Sequence, residues 1–160
     1  LGYFERAVKW DPNSAPFHHA LAVCLSVLGK SGRAIEELKI ACRLAPNDAE
    51  HFYTLGLALN EAANLKEAVA ALKQATELDP QFVRAWYNLG LGYSALQQPD
   101  LALESLRRAE SIDPNEAQYP YARATILARL GRTREARIAA ERTLEIQPSF
   151  SDAANLLRTL

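Results

Sequence analysis

The sequence contains no methionine and only two cysteines, and it has neither a long apolar run nor an excess of charge of either sign. Its longest apolar run, residues 20–25, is much shorter than the ~18 residues that a membrane-spanning helix needs. The formal net charge of −1 gives no sign of a nucleic-acid or membrane partner. We therefore expect no membrane insertion and no nucleic-acid binding.

The two cysteines and the first residue limit what can be said about the cell compartment. Cys24 and Cys42 are too few for a disulfide framework, and they lack the CxxC or CxxCH spacing of redox, zinc or haem sites. We expect two buried free thiols, with a disulfide between them as the alternative. Because the sequence starts at Leu1, we expect a fragment of a longer protein, and the compartment, cytoplasmic or periplasmic, is not indicated.

No motif for catalysis, cofactor binding or metal binding is present. The sequence has no glycine-rich phosphate loop, no HExxH and no GxSxG. Its three histidines are His18, His19 and His51, and adjacent positions on a helix do not face the same way. We expect His18 in the core and the other two at the surface. The chain is predicted to be noncatalytic, with no cofactor and no metal.

A period of 34 residues runs through the whole chain. Proline marks it at Pro12, Pro46, Pro80, Pro114 and Pro148, without any insertion. Alanine repeats at the same spacing at Ala34, Ala68, Ala102 and Ala136, and leucine at Leu21, Leu55 and Leu89. A fixed period of this length is typical of stacked repeats, each of which is one supersecondary unit.

Each period contains two apolar patterns of helical spacing, separated by turn residues. The first helices are predicted at 15–28, 49–62, 83–96 and 117–130, and the second helices at 31–44, 65–78, 99–112 and 133–146. Asn47 and Asn115 follow the proline and are expected to cap the next helix. The chain is thus predicted to be one array of four full repeats, 15–48, 49–82, 83–116 and 117–150. Residues 1–14 would hold the second helix of a truncated repeat, and 151–160 a closing helix.

The pattern resembles the tetratricopeptide repeat (TPR) family. The third unit carries the matching residues Trp86, Leu89, Gly90, Tyr93, Ala102, Leu106, Ala109 and Pro114. The resemblance implies an all-α fold, a right-handed superhelical α-solenoid of antiparallel helix pairs. It also implies an inner groove, lined mainly by the first helices, that binds a protein or peptide segment.

Two columns of the repeat raise questions of packing. Gly90 shares its column with Ala22, Gly56 and Ala124, and we expect a close helix crossing there that excludes a larger side chain. Arg123 replaces the leucine found at Leu21, Leu55 and Leu89. We expect its side chain to lie along the helix with the guanidinium in water.

One stripe of the first helices is predicted to line the groove. The candidate partner-binding residues are His19, Val23, Glu50, Tyr53, Leu57, Asn60, Arg84, Tyr87, Asn88, Leu91, Ser94, Gln118, Tyr121 and Thr125. Tyr53, Tyr87 and Tyr121 form a regular series in this stripe, and tyrosine is a good anchor because it offers a broad rigid face at little entropy cost. The alternative is that these rings only pack against the neighbouring helix.

Related groove chemistries do not fit this sequence. His19 and Val23 stand where family members that clamp a C-terminal carboxylate carry lysine and asparagine, and Asn88 alone makes no asparagine ladder. The arginine-rich stretch 123–142 is interpreted as a solvated face, with a phosphate or acidic-partner patch as the alternative.

The leading hypothesis is a noncatalytic scaffold that holds a partner peptide or helix in the groove. The alternative is a spacer or assembly segment of a larger enzyme or of a multihaem electron-transfer protein. The open ends of the array are further candidates for self-association.

Overall fold

The structure, a computed structural model, describes residues 1–160 as ten α-helices without a β-strand. The helices are α1 (Gly2–Trp10), α2 (Ala15–Val27), α3 (Ser31–Leu44), α4 (Ala49–Glu61), α5 (Leu65–Leu78), α6 (Val83–Ala95), α7 (Pro99–Ile112), α8 (Gln118–Arg129), α9 (Thr133–Ile146) and α10 (Ser151–Thr159). Helices α3, α5, α7 and α9 have the predicted bounds, and α2, α4, α6, α8 and α10 differ by at most one residue at either end. Helix α1 is shorter than the predicted 1–14 and ends at Trp10. The all-α fold class, an α-solenoid of helix pairs, is confirmed. None of the ten helices combines the length and the apolar character that crossing a membrane requires.

The chain forms two compact units, residues 1–85 and residues 86–160. In the first unit α1 packs on α2, α2 on α3, α3 on α4, and α4 on α5. Its core is built from the repeating apolar columns, and Leu25, Leu38 and Leu59 are among its fully buried side chains. The 34-residue pattern therefore becomes a layer of leucine and alanine that successive helices share.

The second unit repeats this arrangement. Here α7 packs on α8, α8 on α9, and α9 on α10. Leu106 and Leu127 fill its core, with Ala124, Ala136 and Ala140 at the places where helices approach closely. The small residues bring the helix axes together, and the leucines fill the space beside them.

Gly56 and Gly90 occupy the close helix crossings that the sequence predicts. A Cβ atom at Gly90 would lie 2.7 Å from Leu106 Cγ and 3.2 Å from the carbonyl oxygen of Ala102. A Cβ atom at Gly56 would lie 2.6 Å from Leu72 Cγ in the same way. Glycine fits these two crossings because Leu72 and Leu106 of the second helices already fill the space of a Cβ atom.

The predicted helix caps are wrong by one position. The Asp48 carboxylate, rather than Asn47, accepts hydrogen bonds from the backbone N–H groups of Glu50 (3.0 Å) and His51 (3.3 Å). Before α8 the carboxylate of Glu116, not Asn115, accepts from the N–H of Gln118 at 3.0 Å. The first helices start three or four residues after the proline, so Asp48 and Glu116, each one position beyond the predicted asparagine, are in reach of the free N–H groups.

The sequence makes a prediction for two polar side chains, His18 and Arg123. His18 is buried as predicted, with Nδ1 2.6 Å from Glu37 Oε2 and Nε2 2.9 Å from the carbonyl oxygen of Pro12. The expectation for Arg123 is wrong, because its guanidinium pairs with the Glu110 carboxylate, and both side chains are only about one fifth exposed. The Glu110 carboxylate on α7 therefore stabilises the guanidinium, in place of the water that the sequence analysis expected.

Both cysteines are free thiols, Cys24 half-buried and Cys42 buried. Burial raises the pKa of the Cys42 thiol to about 11, with a smaller contribution from the charge of Asp48. Cys42 is therefore a protonated, apolar core residue at neutral pH.

Candidate functional site

All the predicted groove residues lie on the first helices α2, α4, α6 and α8, and Arg84 at the start of α6 belongs to the first unit. Their exposure differs strongly. Val23 and Leu91 expose 43% and 39% of their surface, whereas Tyr53 exposes only 7%. The apolar surface that a partner can reach is thus provided by the aliphatic residues more than by the first tyrosine of the series.

The rings of His19 and of the three predicted tyrosines each pack on a second ring, which comes from the segment that leads into the next first helix. We call these four-residue segments the entry segments: 14–17, 48–51, 82–85, 116–119 and 150–153. The ring centroids are 4.9 Å apart in His19–His51, 4.8 Å in Tyr53–Phe82, 5.3 Å in Tyr87–Tyr119 and 4.8 Å in Tyr121–Phe150. Part of each tyrosine ring therefore packs against the protein itself, as the alternative interpretation expects.

The entry segments supply one ring each, at one of two positions. Phe82 and Phe150 stand at the first position, and alanine then occupies the fourth, as Ala85 and Ala153. Where the first position is Asp48 or Glu116, the fourth is His51 or Tyr119. Segment 14–17 follows the second form, with Phe17 packed 6.5 Å from Trp10. Because both positions face the preceding first helix, either can fill the same space.

Tyr53 is enclosed by charged and aromatic neighbours within the first unit. The guanidinium of Arg84 lies 5.0 Å from the Tyr53 ring centroid and 5.3 Å from that of Phe82. It also donates a hydrogen bond to Glu50 Oε2 at 3.3 Å. Burial raises the pKa of Tyr53, and the charge of Arg84 opposes this rise. Arg84 and Glu50 thus cover the tyrosine and form the polar edge of this face.

The stacked histidines are the other polar feature of the first unit. The expectation of a surface position for His51 is wrong, because its ring is 7% exposed and lies under His19. His51 Nδ1 is 3.1 Å from Asp48 Oδ1, but the angles do not allow a hydrogen bond. His19 Nε2 lies 3.1 Å from the hydroxyl of Thr54. Burial lowers the pKa of His19, and the neighbouring His51 lowers it further.

No group of three or more His, Cys, Asp or Glu side chains is arranged to hold a metal ion. An open depression of about 600 Å³ lies at the turns before α4 and α6. Its lining includes Asp48, Glu50, Asp79 and Phe82. Of the predicted groove residues, only Glu50 lies in it.

In the second unit Tyr87 and Tyr121 are half-buried. The Tyr87 hydroxyl donates to the side-chain oxygen of Gln118 at 3.4 Å. Burial raises the pKa of both phenols, and the carboxylates of Glu116 and Asp152 raise it further for Tyr87 and Tyr121 respectively. Both hydroxyls are therefore neutral hydrogen-bonding groups at physiological pH.

The second unit also has two adjoining open depressions beside α6 and α8. One, of about 500 Å³, is lined by Leu91, Ser94, Ala95, Ala122, Thr125, Ile126 and Arg129. The other, of about 360 Å³, is lined by Ser94, Gln97, Pro99, Ile126, Arg129 and Leu130. Arg129 joins them and donates a hydrogen bond to Ser94 Oγ at 2.5 Å. This surface brings together the predicted Leu91, Ser94 and Thr125.

Three sequence models of one family match the chain. One, described as TPR repeat, matches residues 63–97, and two, described as tetratricopeptide repeat, match residues 83–116 and 3–36. Together they cover more than half of the sequence. The chain belongs to the tetratricopeptide repeat family.

Solved structures of TPR proteins have the same fold. MamA is 27% identical with a TM-score of 0.87, over 93% of this chain and 87% of MamA. YrrB, described as a TPR protein with an unusual peptide-binding site, is 25% identical with a TM-score of 0.83, over 96% of this chain and 79% of YrrB. PilF of Pseudomonas aeruginosa, 24% identical with a TM-score of 0.81 over 96% of this chain and 70% of PilF, shows the fold alone. No curated protein matches the sequence significantly.

As a TPR protein, the chain has the fold of a protein-interaction scaffold. Gln97 and Arg129 line the depressions of the second unit and were not among the predicted groove residues, although Arg129 lies in the arginine-rich stretch 123–142. Arg129 follows the predicted stripe by one position, at the end of α8. A broader stripe that includes the last turn of each first helix would have found it.

Proposed function

We propose that this TPR chain is a noncatalytic scaffold that binds an extended peptide or a helix of a partner protein along the predicted face of its first helices. The observation that carries the proposal is the open depression of about 500 Å³ beside α6 and α8, where Leu91, Ser94 and Thr125 converge. An exposed leucine beside hydroxyl groups suits a peptide, because it offers apolar contact together with hydrogen-bonding partners.

The tyrosine rings provide rigid contact surfaces on this face. Since the ring of Tyr87 packs on Tyr119, its exposed part is held rigidly and can contact a partner at little entropy cost. Leu91 is the more accessible anchor, at 39% exposure. The peptide-binding site in the description of YrrB, a structural relative, supports a peptide as the ligand.

A substitution at Leu91 tests the proposal with little effect on folding. Peptides are selected from a random displayed library, and the affinity of the synthesised binders is measured by fluorescence polarisation. Leu91→Asp should weaken binding by about tenfold or more, because a carboxylate replaces an apolar contact. Leu101→Asp is the matched control, since Leu101 on α7 is exposed to a similar degree, 44%, away from this face.

The result expected is a loss of affinity in Leu91→Asp alone, with unchanged melting temperatures in both variants. Equal affinities of the two variants, or a library that yields no binder, would overturn the proposal.

A further inference from the structure

We infer that the joined depressions beside α6 and α8 form a subsite for an acidic side chain of the partner segment, held by Arg129 and Ser94. This inference rests on the proposed function and adds to it the chemistry of the ligand. It names a glutamate or aspartate within the peptide, flanked by apolar residues.

Arg129 has no carboxylate partner within the protein. Some arginines of the second unit are paired with carboxylates: Arg123 pairs with Glu110, and Arg132 forms a two-pronged contact with Glu135 at 2.6 and 2.7 Å. Arg129 has a neutral hydroxyl as its partner instead. The lining of both depressions contains no aspartate or glutamate. The subsite therefore presents one positive charge without an internal counter-charge.

Ser94 and Arg129 together offer hydrogen-bond donors to a ligand. Ser94 Oγ accepts from the Arg129 guanidinium, so the hydroxyl hydrogen of Ser94 is available to donate. The Thr125 hydroxyl is already committed, since it donates to the carbonyl oxygen of Ala122 at 2.8 Å. A carboxylate above Ser94 can thus accept from the hydroxyl and from the guanidinium together. No neutral side chain of similar size uses both donors and the charge.

The shape of the surface decides between an internal acidic residue and a chain terminus. Both depressions are open to solvent, and they meet at Arg129. Leu91 flanks one and Leu130 the other, with 39% and 43% exposure. A peptide that continues past the arginine in both directions contacts both leucines, whereas a chain terminus would leave one uncovered. The geometry thus favours a side-chain carboxylate between two apolar residues.

The experiment uses the complete chain and peptides from the same library, synthesised with amidated C-termini. Selected peptides should be enriched in glutamate or aspartate next to apolar residues. Arg129→Gln should weaken their binding by about tenfold or more, as expected for loss of a charge-assisted hydrogen bond. Ser94→Ala should weaken it by a smaller factor. Arg134→Gln removes the same charge from an exposed position on α9 and should leave the affinity unchanged.

A double-mutant cycle completes the test. Replacing the peptide's acidic residue by glutamine should weaken binding to the wild type and have little further effect on Arg129→Gln, because the two changes remove the same contact. Binders that lack acidic residues, or that bind Arg129→Gln as tightly as the wild type, would overturn this inference and leave the proposed function intact. A requirement for a free C-terminal carboxylate would overturn the choice of an internal side chain. A library without any binder would overturn both proposals.

Discussion

His19 stands where the next three repeats carry Tyr53, Tyr87 and Tyr121, and its imidazole stacks on His51. The sequence predicts His19 on the inner stripe, but it does not reveal the ring partner of His19, which lies 32 positions further along the chain. The surface expectation for His51 failed for this reason. A polar residue at the entry of a helix looks exposed until the ring of the preceding repeat is placed over it.

This contact makes stability depend on pH. Burial, with the neighbouring His51, lowers the pKa of His19 below its ordinary value of 6.5, although Asp48 and Glu50 partly oppose the shift. Below pH 6.5 the unfolded chain therefore binds more protons at this site than the folded chain does. The stabilising contribution is complete above pH 6.5 and is lost as the pH falls through the folded-state pKa. The free energy of unfolding, measured with urea, should fall between pH 7.5 and 5.5.

His19→Tyr is the matched variant, because tyrosine occupies this column in the other repeats. The pairs His18–Glu37 and His51–Asp48 are retained in it, so the difference between the two proteins isolates His19. The drop in stability on acidification should be smaller in His19→Tyr. The same drop in both proteins would contradict the assignment.

Among the elements, the entry segments show what a repeat pattern predicts and what it leaves undetermined. The helix bounds follow from the apolar columns and the prolines, since these recur without insertion. The position of the ring between two repeats cannot be read from the repeat pattern, because the ring stands at the first position of some entry segments and at the fourth position of others. Only coordinates show that Phe82 and Tyr119, which belong to different columns, perform the same packing.

This equivalence predicts that a ring can be moved within a segment. Tyr119→Ala should lower the free energy of unfolding by about 3 kcal/mol, since it removes a buried ring from the face of Tyr87. Adding Glu116→Phe should recover at least about 1 kcal/mol, because it recreates the arrangement of Phe150 and Ala153. The loss of the Glu116 cap is tolerable, as α10 begins without a side-chain cap at Phe150.

Urea denaturation of the wild type, the single variant Tyr119→Ala and the double variant measures these values. The single variant Glu116→Phe is the control, and it should be less stable than the wild type because two rings then compete for one space. A double variant no more stable than Tyr119→Ala would show that the two positions are not equivalent.

Over the whole molecule, burial is lowest in the first and the last helix. Helix α1 has no buried residue, and α10 has only Ala153, whereas α4 and α5 have six each. The sequence predicts this order in part, because the first and last helices have a neighbour on one side only. The pairing of Arg123 with Glu110 and the surface around Arg129 were not predictable, since they depend on how side chains of two helices meet.

Amide hydrogen exchange followed by mass spectrometry tests this distribution. Stability in stacked repeats is approximately a sum over repeats and their neighbour contacts, so helices with few buried contacts open at low free energy. Peptides from α1 and α10 should exchange fastest, and peptides from α4 and α5 should be among the slowest. Uniform exchange rates across all ten helices would show that the chain opens only as a whole.

The entry segments have a consequence for how such a chain can change in length. Each entry segment contains the aromatic residue that packs on the preceding repeat. An inserted repeat therefore already includes the ring that fills its contact with the repeat before it. A duplication or deletion of the 34 codons of one repeat would leave one aromatic ring at every contact between repeats, whether the ring stands at the first or the fourth position of the entry segment. Copy number can therefore vary by single repeats without a compensating mutation elsewhere.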